Sequence, residues 1–376
     1  MRILLALLLL ILPSLAQTNN AHLSLKLEIK RAIKTGNQFL LRNPKRNGCW
    51  SDPENPALTA LVLTALQRSP INYKPAEEET IQRGLQWLLQ QQKEDGGFYS
   101  EGLATYNTST AIMALLATED AQLTPVILKA RAFLIGQQTD WGVSGSPDNA
   151  FDGGIGYGGT YKHSDMSNTH LALEALYHSK RLALDDQEQE QPELDWSAAL
   201  TFITRCQNLT TTNDQNWASD TPSEKGGFVY FPGDSKAGIK KLKDQTTALR
   251  SYGSMSYAGL LSLIFADLRA DDPRVKACLE WLAENYSIDE NPGLGQQGLY
   301  YYYQAMAKSL AASGRDSLIT SAGEEIDWRK ALGTKLVSTQ NSDGSWLNST
   351  SRWWENDNIL VTAYAVLALE QLYYTL

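Results

Sequence analysis

One structural unit recurs six times along this chain, and that repetition limits the fold more than any other feature. Each unit joins an amphipathic helix, a glycine-bearing loop that usually carries an aromatic residue, and a small-residue helix of the form Thr/Ser-x-x-Ala-x-x-Ala-Leu. The second unit displays it most fully. Ile81, Leu85, Leu88 and Leu89 share one face of a helix over 81–92, Glu94-Asp95-Gly96-Gly97-Phe98 breaks it, and a helix with an N-cap signal starts at Thr108-Ser109-Thr110-Ala111. Gly48-Cys49-Trp50, Gly153-Gly154-Ile155, Gly226-Gly227-Phe228 and Asp343-Gly344-Ser345-Trp346 precede comparable helices at 57–66, 168–176, 256–263 and 360–369. The fifth unit is the least regular: a loop from Asn285 to Gln297, containing Gly295, leads into 299–310.

Six helical hairpins either stack as an open solenoid or close into a ring. The second helices are apolar and small nearly all round, which predicts burial on several sides. The first helices carry Gln, Lys, Arg and Glu on one face, which predicts half-exposure. An inner ring inside an outer ring fits that division. The expected fold is all-α, a closed α/α toroid of six hairpins, with residues 17–376 forming one domain. No period-two run argues for a sheet. The polar stretches 184–193 and 210–225 read as solvated loops between repeats.

Acidic residues (42) outnumber basic ones (33), a formal charge of −9, so the chain lacks the basic footprint of a nucleic-acid binder. Three cysteines, Cys49, Cys206 and Cys278, are too few for a disulfide scaffold and read as small buried apolar residues. Arg2, the apolar run Ile3–Leu12 and the small-x-small Ser14-Leu15-Ala16 read as a cleaved signal peptide over residues 1–16. Ten apolar residues reach only about 15 Å as a helix, too short to span a bilayer. The expected location is secreted or periplasmic, with no transmembrane segment. Asn107, Asn208, Asn285 and Asn348 stand in glycosylation sequons.

The units resemble the prenyltransferase/squalene-cyclase (terpene cyclase) repeat. Gln90-Gln91-Gln92-Lys93-Glu94-Asp95-Gly96-Gly97-Phe98 and Gln340-Asn341-Ser342-Asp343-Gly344-Ser345-Trp346 are similar to its Gln-Trp motif. In that reading the glycines permit the turn, the aromatic packs against the neighbouring hairpin, and the Gln amide ties a helix end to the next loop. The chemistry of the family does not transfer residue by residue. Where protein prenyltransferases hold zinc with Asp-x-Cys, this chain reads Asp165-Met166-Ser167, and serine is a poor zinc ligand. Where triterpene cyclases carry Asp-x-Asp-Asp-Thr-Ala, it reads Tyr106-Asn107-Thr108-Ser109-Thr110-Ala111 and Asp165-Met166-Ser167-Asn168-Thr169-His170. No metal and no cofactor is expected.

In a toroid, the starts of the inner helices surround a central hollow. The expected substrate-binding residues there are Tyr106, Tyr157, His170, Tyr252, Tyr257, Tyr301, Trp353 and Trp354, whose ring faces suit an apolar polyene or a developing cation. Tyr161 belongs to the same aromatic set. Asp165 and the pair Asp289-Glu290 are the expected catalytic acids, since burial or a neighbouring carboxylate can raise a carboxyl pKa. Glu355 and Asp357 are further acids entering the last inner helix. The ligand expected is small, apolar and isoprenoid-like. The alternatives are a non-catalytic toroid that binds a lipid, peptide or protein, and a carbohydrate-active enzyme with two carboxylates across a groove.

Overall fold

Along the chain, half-exposed and fully buried helices alternate. In the computed structural model, which describes residues 12–158, 163–186, 190–242, 245 and 247–376, they are α1 (Leu12–Arg42), α2 (Pro56–Gln67), α3 (Pro75–Leu89), α4 (Ala104–Leu116), α5 (Thr124–Ile135), α6 (Met166–Asp185), α7 (Trp196–Arg205), α8 (Gly253–Phe265), α9 (Pro273–Glu284), α10 (Leu299–Ala312), α11 (Trp328–Ser338) and α12 (Asn358–Thr375). Residues 1–11 of the expected signal segment lie outside the described residues, as does Tyr161. The even-numbered helices form the inner layer. Every residue of α2 from Pro56 to Leu66 is buried, as is every residue of α8 from Gly253 to Leu263. Small side chains on these helices let neighbouring backbones approach closely on more than one side. The inner helices contact one another in chain order, α2 to α4 and onward to α12, and α12 packs back against α2. The ring is closed, and the fold is an α/α toroid of six hairpins.

The repeated motif has a readable mechanical role. Its Thr or Ser hydroxyl accepts the backbone N–H of the loop residue that follows the glycines: Trp50 to Thr59 (3.0 Å), Phe98 to Thr108 (2.9 Å), Ile155 to Thr169 (2.9 Å), Phe228 to Ser256 (3.0 Å) and Trp346 to Thr362 (3.0 Å). This corrects the expected start of α4 at Thr108. The helix begins four residues earlier, at Ala104, and Thr108 holds the loop rather than capping the helix. The glutamine at the end of an outer helix then bridges two hairpins. Gln92 Nε2 donates to Gly96 O (3.1 Å) and to Val126 O at the start of the next outer helix (3.0 Å). Gln138 and Gln207 repeat this geometry toward Asp195 and Arg274. Gln340 completes the circle, donating to Gly344 O (2.9 Å) and to Ala32 O of α1 (3.0 Å).

Only the first glycine of each pair needs left-handed backbone. Gly344 has φ +96°, and a Cβ there would run into the Thr35 carbonyl of α1. Gly97, by contrast, has ordinary φ, and its missing side chain leaves room for the rings of Tyr99 and Phe133. Two short antiparallel hairpins, β1 (Ile239–Lys241) with β2 (Thr247–Leu249) and β3 (Leu318–Ile319) with β4 (Glu325–Ile326), lie in excursions between helices. At two or three residues each, they are too short to leave a period-two signal. All three cysteines are buried and unpaired. Asn107, Asn208 and Asn348 are buried too, so three of the four sequons are inaccessible in the folded chain.

The Gln340 amide joins Gly344 O of its own loop to Ala32 O across the seam between the last and first hairpins, and Gln340→Ala removes both bonds. It should lower stability by about 1–3 kcal/mol, read from urea unfolding. A change below about 0.5 kcal/mol would mean that the seam is held elsewhere.

Candidate functional site

The N-terminal parts of five inner helices converge on a cavity of about 670 Å³. Tyr106 comes from α4, Ser167 and Asn168 from α6, Ser254 and Met255 from α8, Tyr301 from α10, and Leu360 and Tyr364 from α12. Loop residues Tyr157, Tyr230, Phe231 and Tyr252 complete an aromatic wall. Two pairs of tyrosine hydroxyls satisfy each other: Tyr230 Oη donates to Tyr157 Oη (2.9 Å), and those of Tyr106 and Tyr364 are 2.9 Å apart. With these four hydroxyls paired, their rings offer the cavity mostly apolar surface. Burial pushes the Tyr106 phenol up to about 12, so it stays neutral across the physiological range.

Tyr106, Tyr301 and Tyr364 also form the cavity floor. The same three side chains line a second, much smaller chamber of about 30 Å³ on the far side. There Lys308 Nζ of α10 donates to both Glu174 carboxylate oxygens of α6, at 2.6 and 2.9 Å, bridging two helices separated in the ring by α8. The neighbouring lysine draws the Glu174 carboxyl down to about 2 against the effect of burial. The hollow is thus divided into an aromatic cavity and a tight ionic plug.

At the mouth, backbone strain is concentrated. Leu103, Trp353 and Trp354 are non-glycine residues with φ of 54°, 54° and 62°, and all three line the cavity. Such conformations carry of order 1–3 kcal/mol each and tend to cluster at functional sites. Trp353 and Trp354 remain 44% and 50% exposed. The Arg352 guanidinium lies 4.4 Å from the Trp353 ring centre and fixes one face of it.

The carboxylate that lines the cavity is Glu355. It is buried, and its oxygens accept the backbone N–H groups of Tyr300 (3.0 Å) and Tyr301 (2.9 Å) and the Asn348 amide (2.6 Å). Glu355 therefore caps α10 from the following repeat, satisfying N–H groups that would otherwise be orphaned and placing a negative charge at the positive helix end. Burial raises its carboxyl above the ordinary value, while these donors pull the other way. Among the described residues no group of three or more His, Cys, Asp or Glu is disposed to hold a metal ion.

Of the residues singled out from sequence, Tyr106, Tyr157, Tyr252, Tyr301, Trp353 and Trp354 come together on the cavity. Asp165 lies one layer behind. It is fully buried, and its two oxygens accept the backbone N–H (2.9 Å) and side-chain amide (2.8 Å) of Asn168, which does line the cavity. Burial raises its carboxyl to about 6. Four expectations of position need correction. Asp289 and Glu290 lie on the exposed surface, and Asp289 pairs with Lys335 at 2.8 Å, because their loop turns outward once Asn291 is drawn in to bond Ser254. Tyr257 is buried between α8 and α10, its ring 5.5 Å from that of Tyr302. His170 is buried on α6 but lines neither chamber, and burial lowers its imidazole to about 4. Lys236, Phe231 and Tyr230 also line the cavity, from the excursion before β1, and nothing local in the sequence marks Lys236.

Comparison with solved structures places this architecture. The type II terpene cyclase MstE from Scytonema, without ligand, aligns with TM-score 0.57 and 12% identity over 93% of this chain and 99% of its own. A variant in complex with merosterolic acid A, its product, aligns at 0.56 and 13%, covering 94% and 99%. A variant with the substrate geranylgeranyl dihydroxybenzoate aligns at 0.55 and 12%, again covering 94% and 99%. These likenesses establish a shared α/α toroid fold. The A-macroglobulin TED domain model, also an α/α toroid, matches residues 2–124. No curated protein sequence matches the chain.

The Asp165 carboxyl gives a signed prediction. Its folded value, about 6, exceeds the ordinary 3.8, so the folded state holds the extra proton between those values. The contribution of Asp165 to stability falls as pH rises from about 4 to about 6. His170, lowered to about 4, contributes in the opposite sense over much of the same range, so the wild-type curve alone is uninformative. Asp165→Asn should therefore gain about 1–3 kcal/mol relative to wild type at pH 7 compared with pH 4, measured by denaturant unfolding at both. A pH-independent difference would contradict the buried, protonating carboxyl.

Proposed function

We propose that this chain is an exported toroid that holds an apolar, isoprenoid-like ligand in its central cavity. The observation that carries this reading is the roughly 670 Å³ hollow itself, walled by tyrosine and tryptophan rings and containing one carboxylate among the described lining residues. Its volume falls in the range of small-molecule sites, and four of its tyrosine hydroxyls are paired with one another. The ligands named for the MstE structures, which share the fold, are isoprenoid in character. Export is supported by Arg2, the apolar run after it and the Ser14-Leu15-Ala16 signature.

Glu355 and the ring faces would act together on a ligand that develops positive charge: the rings through their quadrupoles, Glu355 as a fixed negative charge. Asp165 serves as a positioning residue in this reading, orienting Asn168 against the cavity wall. The carbohydrate alternative needs two facing carboxylates, whereas the described lining residues supply one.

Two measurements test the reading. Farnesol or geranylgeraniol titrated into purified protein should change tryptophan fluorescence saturably at one ligand per chain. Met255→Trp, which fills the cavity from α8, should weaken binding at least tenfold. Absence of saturable binding by either alcohol would remove the ligand assignment. The protein recovered from outside the cytoplasm should begin at Gln17, and an intact Met1 in a cytoplasmic fraction would remove the export assignment.

A further inference from the structure

The cavity wall is not electrically uniform. Lys236 is the one lysine or arginine among its described lining residues, and it comes from an excursion rather than from an inner helix. Its ammonium group lies 4.2 Å from the Tyr230 ring centre and 5.7 Å from that of Phe231, on two rings that themselves line the cavity. Such contacts hold the lysine stem and aim its head without neutralising it. Its carboxylate neighbour, Asp234, stands at 3.4 Å, longer than a tight charge-assisted bond, and that side chain is 44% exposed. A partly exposed pair of this kind is weak, and a third partner can displace it. The opposite charge on the wall, Glu355, is already occupied by two backbone N–H groups and the Asn348 amide.

Building on the apolar-ligand reading, we infer that the cavity selects an amphiphile with a carboxylate head, seated on Lys236 at the Tyr230–Phe231 rings, and an apolar tail directed toward the Tyr106–Tyr301–Tyr364 floor. One ammonium matches one negative charge. A diphosphate would call for several cations or a metal ion; the described lining residues offer one lysine and one imidazole, that of His163, and no group of three or more His, Cys, Asp or Glu disposed to hold a metal. Three helix starts around the cavity already carry acidic caps: Asp165 on α6, Glu355 on α10 and Asp357 on α12.

The test compares farnesoic acid, farnesol and farnesyl phosphate at pH 8 and low salt, by calorimetry on the full chain. Farnesoic acid should bind about tenfold tighter than farnesol, and the advantage should shrink as salt is raised. Lys236→Gln should reduce the acid-to-alcohol affinity ratio about tenfold, Lys236→Arg should retain it, and Asp234→Asn should increase it by releasing the lysine. Equal affinities for acid and alcohol in wild type, or a ratio unmoved by Lys236→Gln, overturns the head-group assignment while leaving the apolar site standing. Farnesyl phosphate binding more than tenfold tighter than the acid overturns the choice of carboxylate. Binding of none of the three overturns the apolar-ligand reading itself.

Discussion

The seam where the last hairpin meets the first holds the rest of the molecule in place. A stack of six hairpins has two raw ends, each exposing apolar surface, and here each end covers the other. α12 packs against α2, while α1 lies against both α11 and α12. The Trp346 indole donates to Leu336 O and lies so close to Gly36 of α1 that a side chain there would collide with it. Gln340 and Gly344 then join the loop of the sixth unit to α1 with the same geometry used between earlier neighbours. These contacts link residues about three hundred positions apart, so the loop-closure entropy they offset is large but grows only slowly with length. Closure also creates the hollow, because inner helices that meet in a ring cannot all meet at its axis.

The site arises where the repeat breaks its own rule. In five units, a Thr or Ser hydroxyl holds the backbone of a loop residue; the fifth unit has tyrosines, Tyr302 and Tyr303, in the corresponding turn of its helix. The start of α10 is instead capped by Glu355 from the sixth unit. Reaching that position requires the chain before α12 to double back, and it does so through consecutive left-handed tryptophans. Trp353 packs against Gly298, the residue before α10, where a Cβ would press on the indole. Strained backbone, a foreign cap and half-exposed rings thus coincide at the cavity mouth, the pattern expected where local consistency is given up for a site.

The fold was legible because its signals are local and repeated: helical periodicity, paired glycines and small-residue helices each appear several times over. The aromatic half of the site was legible for a related reason, since the starts of inner helices in a ring must converge. What escaped were features that depend on direction rather than spacing. Asp289-Glu290 is the more conspicuous acidic pair in sequence, yet its loop turns outward, while Glu355, three residues before the start of α12, turns inward to a helix of another unit. Lys236 gave no local signal because its place on the wall depends on how a polar excursion folds back over the ring. Tyr300 to Tyr303 illustrates the same limit: four successive rings on one helix turn point in different directions, and only Tyr301 reaches the cavity.

Electrostatics then constrain what the hollow can do. Cap residues face the converging helix starts: Asp165 caps α6, Asp357 caps α12 and Glu355 caps α10. Each carboxylate is held as an acceptor by N–H groups, an arrangement that favours its charged form even where burial opposes it. A group that must protonate a hydrocarbon needs the reverse: a hydrogen aimed at the ligand and few donors around the oxygens. Asp165, which is fully buried behind the cavity-lining Asn168, directs both oxygens to that residue. The described wall therefore presents ring faces and a carboxylate held by N–H donors, and both Asp165 and Glu355 turn their oxygens to those donors; on the proposed reading it would stabilise positive charge on a bound molecule better than it would create that charge by proton transfer.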